Sequence, residues 1–190
     1  AGSGVSQHPT QSLLDYFTIK ESFSGQINNL KIGFVGDCLR GRTVHSLAKI
    51  LALFKGVKLY FISPEELTLD QDTQNYLSSR NVDFSCVSGG ISDYVNKLDV
   101  VYMTRIQDEH GGISEVKNDY LFTLDDLYKM SSESILMHPM PKREEIDPRI
   151  DFLSRDPRVM YWRQQRNGMW VRAAIFAHLF KKSDSVLNLS

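Results

Sequence analysis

A short apolar run that breaks into a glycine-containing turn constrains this chain most. Ile32-Gly33-Phe34-Val35 has the composition of a buried strand, and the turn from Gly36 to Thr43 follows it directly. Apolar residues then recur at helical spacing as far as Gly56: Val44, Leu47, Ile50, Leu51 and Phe54. Sheets built from such strand–turn–helix units bind ligands beyond the carboxyl ends of their strands. We therefore expect a ligand site near this turn.

The rest of the chain repeats the pattern. Further strands are predicted at 57–62, 82–87, 100–104 and 134–137. Helices are predicted from a Thr10 or Ser12 cap to about residue 22, at 71–79, at 91–98, after a Thr123 cap, and over 169–180, with an ordered loop at 148–166. Strands that alternate with helices predict an α/β fold with a mainly parallel sheet flanked by helices.

Composition narrows the class of partner. The 190 residues, 42% of them hydrophobic, are enough for one sizeable core. The formal net charge of −1 gives no basic field for nucleic acid or a membrane surface, and no apolar run approaches the ~20 residues of a membrane span. Cys38 and Cys86 lack any Cys-x-x-Cys spacing, so we expect free thiols in a reducing, cytoplasmic compartment.

Two arginines follow predicted strands. Arg42 ends the first turn, and Arg105 with Gln107 follows the strand at 100–104, where alternate residues of an extended segment project the same way. A guanidinium group binds a carboxylate through two parallel N–H···O bonds, so two such groups suit a dicarboxylate ligand. Ordinary surface ion pairs are the alternative.

Two other clusters could bind a polar ligand. His8 and Gln11 lie three residues apart and would share one face at a helix start. In His138-Pro139-Met140-Pro141, two prolines fix backbone carbonyls that could accept hydrogen bonds from an amide or amine. A structural histidine and a rigid turn without a ligand are the alternatives.

Other chemistries lack their motifs. His45, His110 and His178 show no metal-ligand spacing, and the serines lack a Gly-x-Ser-x-Gly setting. The turn at 36–43 matches neither a Gly-x-Gly-x-x-Gly nor a Walker phosphate loop, which disfavours nucleotide binding. We predict no metal, no cofactor and no covalent intermediate.

Five blocks in order resemble the aspartate carbamoyltransferase family. They are His8-Pro9-Thr10-Gln11-Ser12-Leu13-Leu14-Asp15, residues 35–37 with 41–47, residues 102–107, residues 137–141, and residues 161–165 with 167–169 and Arg172. The related ornithine enzymes would carry a Cys in the block that here reads His138-Pro139-Met140-Pro141, so the resemblance favours aspartate as substrate.

The resemblance implies roles for these residues. His8 would bind the carbamoyl oxygen, while Gln11 and the backbone of Met140 and Pro141 would hold the carbamoyl nitrogen. Arg42, Arg105 and Gln107 would bind the two aspartate carboxylates, and the Met140–Pro141 bond would be cis. Accessory roles fall to Thr43, His138, Pro139 and Arg172. The reaction implied is direct attack of the aspartate amine on carbamoyl phosphate.

The resemblance also implies a division of the chain and a larger assembly. Residues 1–25 and 167–190 would belong to helices between two domains, and residues 26–166 would form the aspartate-binding domain. The family's carbamoyl-phosphate domain, with its Ser-Thr-Arg-Thr loop, is not found in these 190 residues. We therefore expect a fragment of a homotrimeric enzyme, inactive alone, whose helices could be partly exposed. The alternative is a non-catalytic binding or regulatory module of the same family.

One departure from the family pattern falls after Gln107. Many members carry two basic residues there, whereas this chain reads Asp108-Glu109-His110. Closure of this loop over aspartate is expected to differ in strength or in pH response.

Overall fold

Five parallel strands form one sheet at the centre of the protein. The computed structural model describes residues 7–106 and 116–184, and in it the strand order is β3-β2-β1-β4-β5. The strands are β1 (Lys31–Val35), β2 (Lys58–Ile62), β3 (Asp83–Val87), β4 (Val100–Met103) and β5 (Ile135–Met137). Each lies within one residue of the run predicted for it, which confirms the α/β fold class.

Both faces of the sheet are buried. Successive residues of a strand point to opposite faces, so Phe34 and Tyr102 enter one core cluster while Val35 and Met103 enter the other. A sheet covered on both sides needs apolar residues at every position of its central strands. This explains why the sequence shows continuous apolar runs rather than alternation.

Helices cover the two faces of the sheet. They are α1 (Pro9–Ser22), α2 (Arg42–Leu51), α3 (Gln71–Ser79), α4 (Leu124–Lys129) and α5 (Tyr161–Leu179). Thr123 caps α4 in a reciprocal capping box with Asp126, as predicted. The segment predicted as a helix at 91–98 instead forms two short 3-10 turns, Ile91–Asp93 and Val95–Lys97.

The strand order creates a crevice between β1 and β4. The chain runs outward from β1 to β2 and β3, and then returns to place β4 on the other side of β1. Connections diverge at this point, which is where open α/β sheets bind ligands. Gly36, with φ of +111°, allows a close approach here, because a Cβ atom would lie 2.5 Å from the carbonyl oxygen of Thr104.

The start of α1 differs from the prediction. Its N-cap is His8 rather than Thr10 or Ser12, and Pro9 is the first helical residue. The Nδ1 atom of His8 accepts the backbone N–H of Gln11 at 3.3 Å, which is the hydrogen bond that a Ser or Thr cap would otherwise provide. The helix therefore begins inside the cluster that the sequence singled out.

The predicted loop at 148–166 is wrong over its last six residues, since α5 begins at Tyr161. The buried stripe of this helix consists mainly of polar or small residues, namely Tyr161, Gln164, Asn167 and Gly168, and an apolar periodicity could not detect it. The predicted apolar face points outward, with Met169 at 59%, Phe176 at 60% and Phe180 at 72% exposure. The expected exposure of this face is confirmed.

Candidate functional site

A cleft of about 270 Å³ opens where β1, β4 and β5 end. Most of the residues predicted to bind ligand line it. Its lining comprises His8, Gln11, Asp37, Arg40, Gly41, Arg42, Thr43, Thr104, Arg105, His138, Pro139 and Met140. Pro141 and Arg172 are not among these residues, and Gln107 lies outside the described part of the chain. Segments far apart in sequence thus converge as predicted.

Arginines give the cleft its charge. Arg42 is the first residue of α2 and is exposed, while Arg105 is half-buried two residues beyond the end of β4. Arg40, which the sequence analysis did not select, also lines the cleft. Guanidinium groups stay charged at neutral pH and pair with carboxylates through parallel hydrogen bonds. The cleft can therefore hold a ligand with more than one anionic group.

Short-range contacts fix the backbone that carries these arginines. Both the backbone N–H and the hydroxyl of Thr104 donate to the carbonyl oxygen of Val35, each at 2.8 Å. In the neighbouring turn, Oδ1 of Asp37 accepts the backbone N–H of Arg40 at 2.8 Å. Burial raises the pKa of the Asp37 carboxyl, and this hydrogen bond and the Arg40 charge partly offset the effect.

His8 is held in one tautomer. Burial, followed by the positive charges of Arg42 and Arg172, lowers the pKa of His8 below 6.5, although a backbone hydrogen bond acts in the opposite direction. The imidazole is therefore neutral at pH 7. Because Nδ1 accepts the N–H of Gln11, the proton resides on Nε2. The result is a neutral hydrogen-bond donor for an oxygen on a ligand.

The turn after β5 is fixed by the His138 side chain. Nδ1 of His138 accepts the backbone N–H of Met140 at 2.9 Å, and Nε2 lies 2.8 Å from Oε1 of Glu145. Met140 has φ of 58°, and the Met140–Pro141 peptide bond is cis, as the resemblance implied. His138 is only 1% exposed, so its side chain holds the turn, and residues 138–140 line the cleft.

Glu145 completes this support. Its burial would raise the pKa of the carboxyl, but hydrogen bonds from His138 and from the backbone N–H of Arg143 together lower it below 4.5. The carboxylate is thus ionised at neutral pH. It accepts hydrogen bonds beneath the turn that carries Met140.

A polar network lies under the cleft. Asp15, fully buried in α1, accepts hydrogen bonds from the side chains of Gln11 at 2.9 Å, Gln164 at 2.7 Å and Tyr102 at 2.6 Å. Oε1 of Gln164 accepts the backbone N–H of His138 at 2.9 Å. Burial raises the pKa of Asp15 to about 6, and the three hydrogen bonds oppose that rise.

Sequence reasoning did not find this network, although one signal was available. Asp15 follows Gln11 by four residues, so both lie on the same face of α1, a face that also contains the buried Leu14, Thr18 and Ile19. A carboxylate that is buried on the same face as these residues requires hydrogen-bond partners. Gln164 and Glu145 carried no comparable signal, because each is contributed by a segment that reads as loop.

Other features lie outside the cleft. Cys38 is buried and Cys86 is exposed, and both are free thiols as predicted. Within residues 7–106 and 116–184, no group of three or more His, Cys, Asp or Glu is placed to hold a metal ion. No helix in these same ranges is long and apolar enough to cross a membrane.

A protein-family model matches most of the chain. The model for the Asp/Orn-binding domain of aspartate/ornithine carbamoyltransferases matches residues 28–179. The chain belongs to this carbamoyltransferase family. The match covers the sheet, the cleft-forming turns at 36–43 and 138–141, and α5.

Similar proteins extend the match into α1. Aspartate carbamoyltransferase 1 of Pisum sativum is 41% identical over 180 residues, which cover 92% of this chain and 45% of that protein. The catalytic subunit of M. jannaschii aspartate transcarbamoylase is 39% identical, with a TM-score of 0.86 over 97% of this chain and 59% of that one. The Trypanosoma cruzi enzyme with carbamoyl phosphate and aspartate is 33% identical, with a TM-score of 0.81 over 93% of this chain and 56% of that one. The carbamoyltransferase chain spans about half the length of the relatives it matches.

Proposed function

We propose that this chain forms the aspartate-binding half of an aspartate carbamoyltransferase. The reaction transfers the carbamoyl group of carbamoyl phosphate to the amine of L-aspartate, giving N-carbamoyl-L-aspartate and phosphate. The observation that carries the proposal is the cleft that contains Arg42 and Arg105 together with His8, Gln11 and the turn at 138–140. It combines cationic groups for two carboxylates with neutral donors and acceptors for a carbamoyl group.

The charge of the cleft favours aspartate over ornithine. Arg40, Arg42 and Arg105 all line it, and a substrate amine on a long cationic side chain would meet repulsion there. L-Aspartate instead brings a second carboxylate. The similar proteins described above are aspartate carbamoyltransferases, and one was solved with carbamoyl phosphate and aspartate.

The proposed chemistry is a direct displacement. The unprotonated aspartate amine forms a bond to the carbamoyl carbon, the bond from that carbon to the phosphate oxygen breaks, and the amine releases a proton. Nε2–H of His8 would donate to the carbamoyl oxygen as negative charge develops on it. Gln11 and the backbone of Met140 and Pro141 would hold the carbamoyl nitrogen. Arg42, Arg105 and Gln107 would bind the aspartate carboxylates, with Arg172, Thr43, His138 and Pro139 in accessory roles.

The second half of the site would come from elsewhere. The chain spans about half the length of its relatives, and buried hydrogen bonds join α1 to α5 through Asp15 with Gln164 and Thr18 with Asn167. We propose that residues 1–25 and 167–190 join residues 26–166 to a carbamoyl-phosphate domain, within a cytoplasmic homotrimer of pyrimidine biosynthesis. The large exposed side chains of α5 support such a junction, since Trp170 is 63% exposed and Phe176 60% exposed.

An activity assay tests the proposal. The chain should be produced alone and also joined to, or mixed with, a carbamoyl-phosphate domain, and carbamoyl-aspartate should be measured with aspartate or ornithine as acceptor. We expect product only with the second domain present and with aspartate. Product from the chain alone would contradict the division of the site. Tight aspartate binding without turnover in the joined protein would favour the non-catalytic module.

A further inference from the structure

Asp15 lies beneath the cleft and is not one of its lining residues. It is fully buried, and its two carboxylate oxygens accept three side-chain hydrogen bonds, from Gln11, Gln164 and Tyr102. All three donors come from different elements, namely α1, α5 and β4. An ionised carboxylate only accepts hydrogen bonds, so it determines which atom each partner presents to it.

This selection orients the amide of Gln11. The carboxylate requires the NH₂ group of Gln11, whose Nε2 lies 2.9 Å from Oδ1 of Asp15. Gln11 lines the cleft, and its amide oxygen is therefore left for a ligand. A carbamoyl NH₂ group needs an acceptor of this kind. If the amide were reversed, Gln11 would present its own NH₂ group to the cleft, and this group would repel the carbamoyl NH₂ group.

The same oxygen of Asp15 also acts on the turn at 138–140. Nε2 of Gln164 donates to Oδ1 of Asp15 at 2.7 Å, which directs Oε1 of Gln164 to the backbone N–H of His138 at 2.9 Å. His138 begins the turn that carries Met140. Oδ1 of Asp15 thus bonds Gln11 directly and is linked through Gln164 to the turn that carries Met140. These are the two groups proposed to hold the carbamoyl nitrogen.

Tyr102 adds a third link. Its hydroxyl donates to Oδ2 of Asp15 at 2.6 Å, which joins β4 to the same carboxylate. The burial of Asp15 raises its pKa to about 6, so the carboxylate form still prevails at neutral pH. A buried carboxylate is an unfavourable choice for packing alone, since an apolar residue would fill the same space without desolvation.

We propose that Asp15 is a positioning residue that fixes the acceptors for the carbamoyl nitrogen, an inference that rests on the proposed function. It does not contact substrate. It acts through the amide orientations of Gln11 and Gln164, and a leucine, which has a similar shape but no acceptor, would leave both orientations unfixed.

The test uses the active two-domain protein and the variant Asp15→Leu. We expect the kcat of the folded fraction, which is measured in parallel by circular dichroism, to fall about 10- to 100-fold, with the KM for aspartate changed less than about threefold. Thr18→Val is the matched control, because it removes another buried α1–α5 contact, to Asn167 at 3.0 Å, without touching Gln11. A kcat loss in Asp15→Leu no larger than in Thr18→Val would overturn the proposal.

A second variant separates orientation from packing. Asp15→Asn keeps one oxygen, which can accept from both glutamines because Gln11 and Gln164 bond the same atom, Oδ1. We expect Asp15→Asn to retain a kcat about tenfold above that of Asp15→Leu. Equal kcat losses in the two variants would contradict the proposal. Absence of turnover in the unaltered two-domain protein would instead reject the proposed function, and this inference with it.

Discussion

Nε2 of His138 lies 2.8 Å from Oε1 of Glu145, enclosed beneath the turn that follows β5. Removing the carboxylate in Glu145→Ala would leave two donors unpaired, the His138 ring N–H and the Arg143 backbone N–H. We expect a loss of about 1–3 kcal/mol in the free energy of unfolding, measured by urea denaturation of the chain. Glu144→Ala, at the exposed neighbouring position, should change it by less than about 0.5 kcal/mol.

The same pair predicts a pH dependence. The pKa of Glu145 is lower in the folded than in the unfolded protein, so its stabilising contribution is present above pH 4.5 and is lost as the pH falls through the folded pKa. The difference in unfolding free energy between the unaltered chain and Glu145→Ala should therefore shrink on acidification. A difference that grows as the pH falls would show the pair is misassigned.

Asp15 should behave in the opposite way. Burial raises its pKa from 3.8 to about 6, so the folded protein binds this proton more tightly than the unfolded one. The stabilisation is complete below pH 3.8 and is lost as the pH rises to about 6, a change of about 3 kcal/mol for a shift of this size. Relative to Asp15→Asn, the unaltered chain should lose stability between about pH 4 and pH 7 in urea titrations. A constant difference would mean that the carboxyl has an ordinary pKa.

The charge of Arg42 should be visible in the titration of His8. Burial is the larger cause of the lowered His8 pKa, and Arg42 is the next. We expect Arg42→Ala to raise the His8 pKa, measured by NMR of the imidazole nitrogens. Arg149→Ala is the control, since Arg149 is exposed and pairs with Asp147. Equal shifts in both variants would exclude a local effect of Arg42.

Arg105→Ala tests the carboxylate site. In the two-domain protein we expect the variant to weaken aspartate binding by about 2–4 kcal/mol, while carbamoyl phosphate binding is nearly retained. The reason is that a charged, two-pronged hydrogen bond to aspartate would be lost. Arg149→Ala again serves as control. An equal loss for both substrates would refute the assigned role.

The sequence predicted the strands well because both faces of this sheet are buried. Ile32, Phe34 and Val35 are fully buried, and such runs leave a clear apolar signal. Arg105 and the 138–141 turn were found because they follow strands closely, and Arg42 because it ends the turn between β1 and α2. Gln164 and Asn167 were missed as parts of a helix, since α5 buries polar residues and exposes apolar ones. The residues beneath the cleft are held by hydrogen bonds between segments far apart in sequence, such as that of Asp15 with Gln164. No local sequence pattern encodes such a contact.

Asp15 and Gln164 lie 149 residues apart along the chain, yet one hydrogen bond joins them. The five strands of this sheet have all been synthesised once Met137 is added, whereas α5 is added later. A nascent chain that stops before Gln164 would thus contain these strands and a carboxylate at Asp15 without this partner. Assembly of the cleft therefore has to wait for the synthesis of α5.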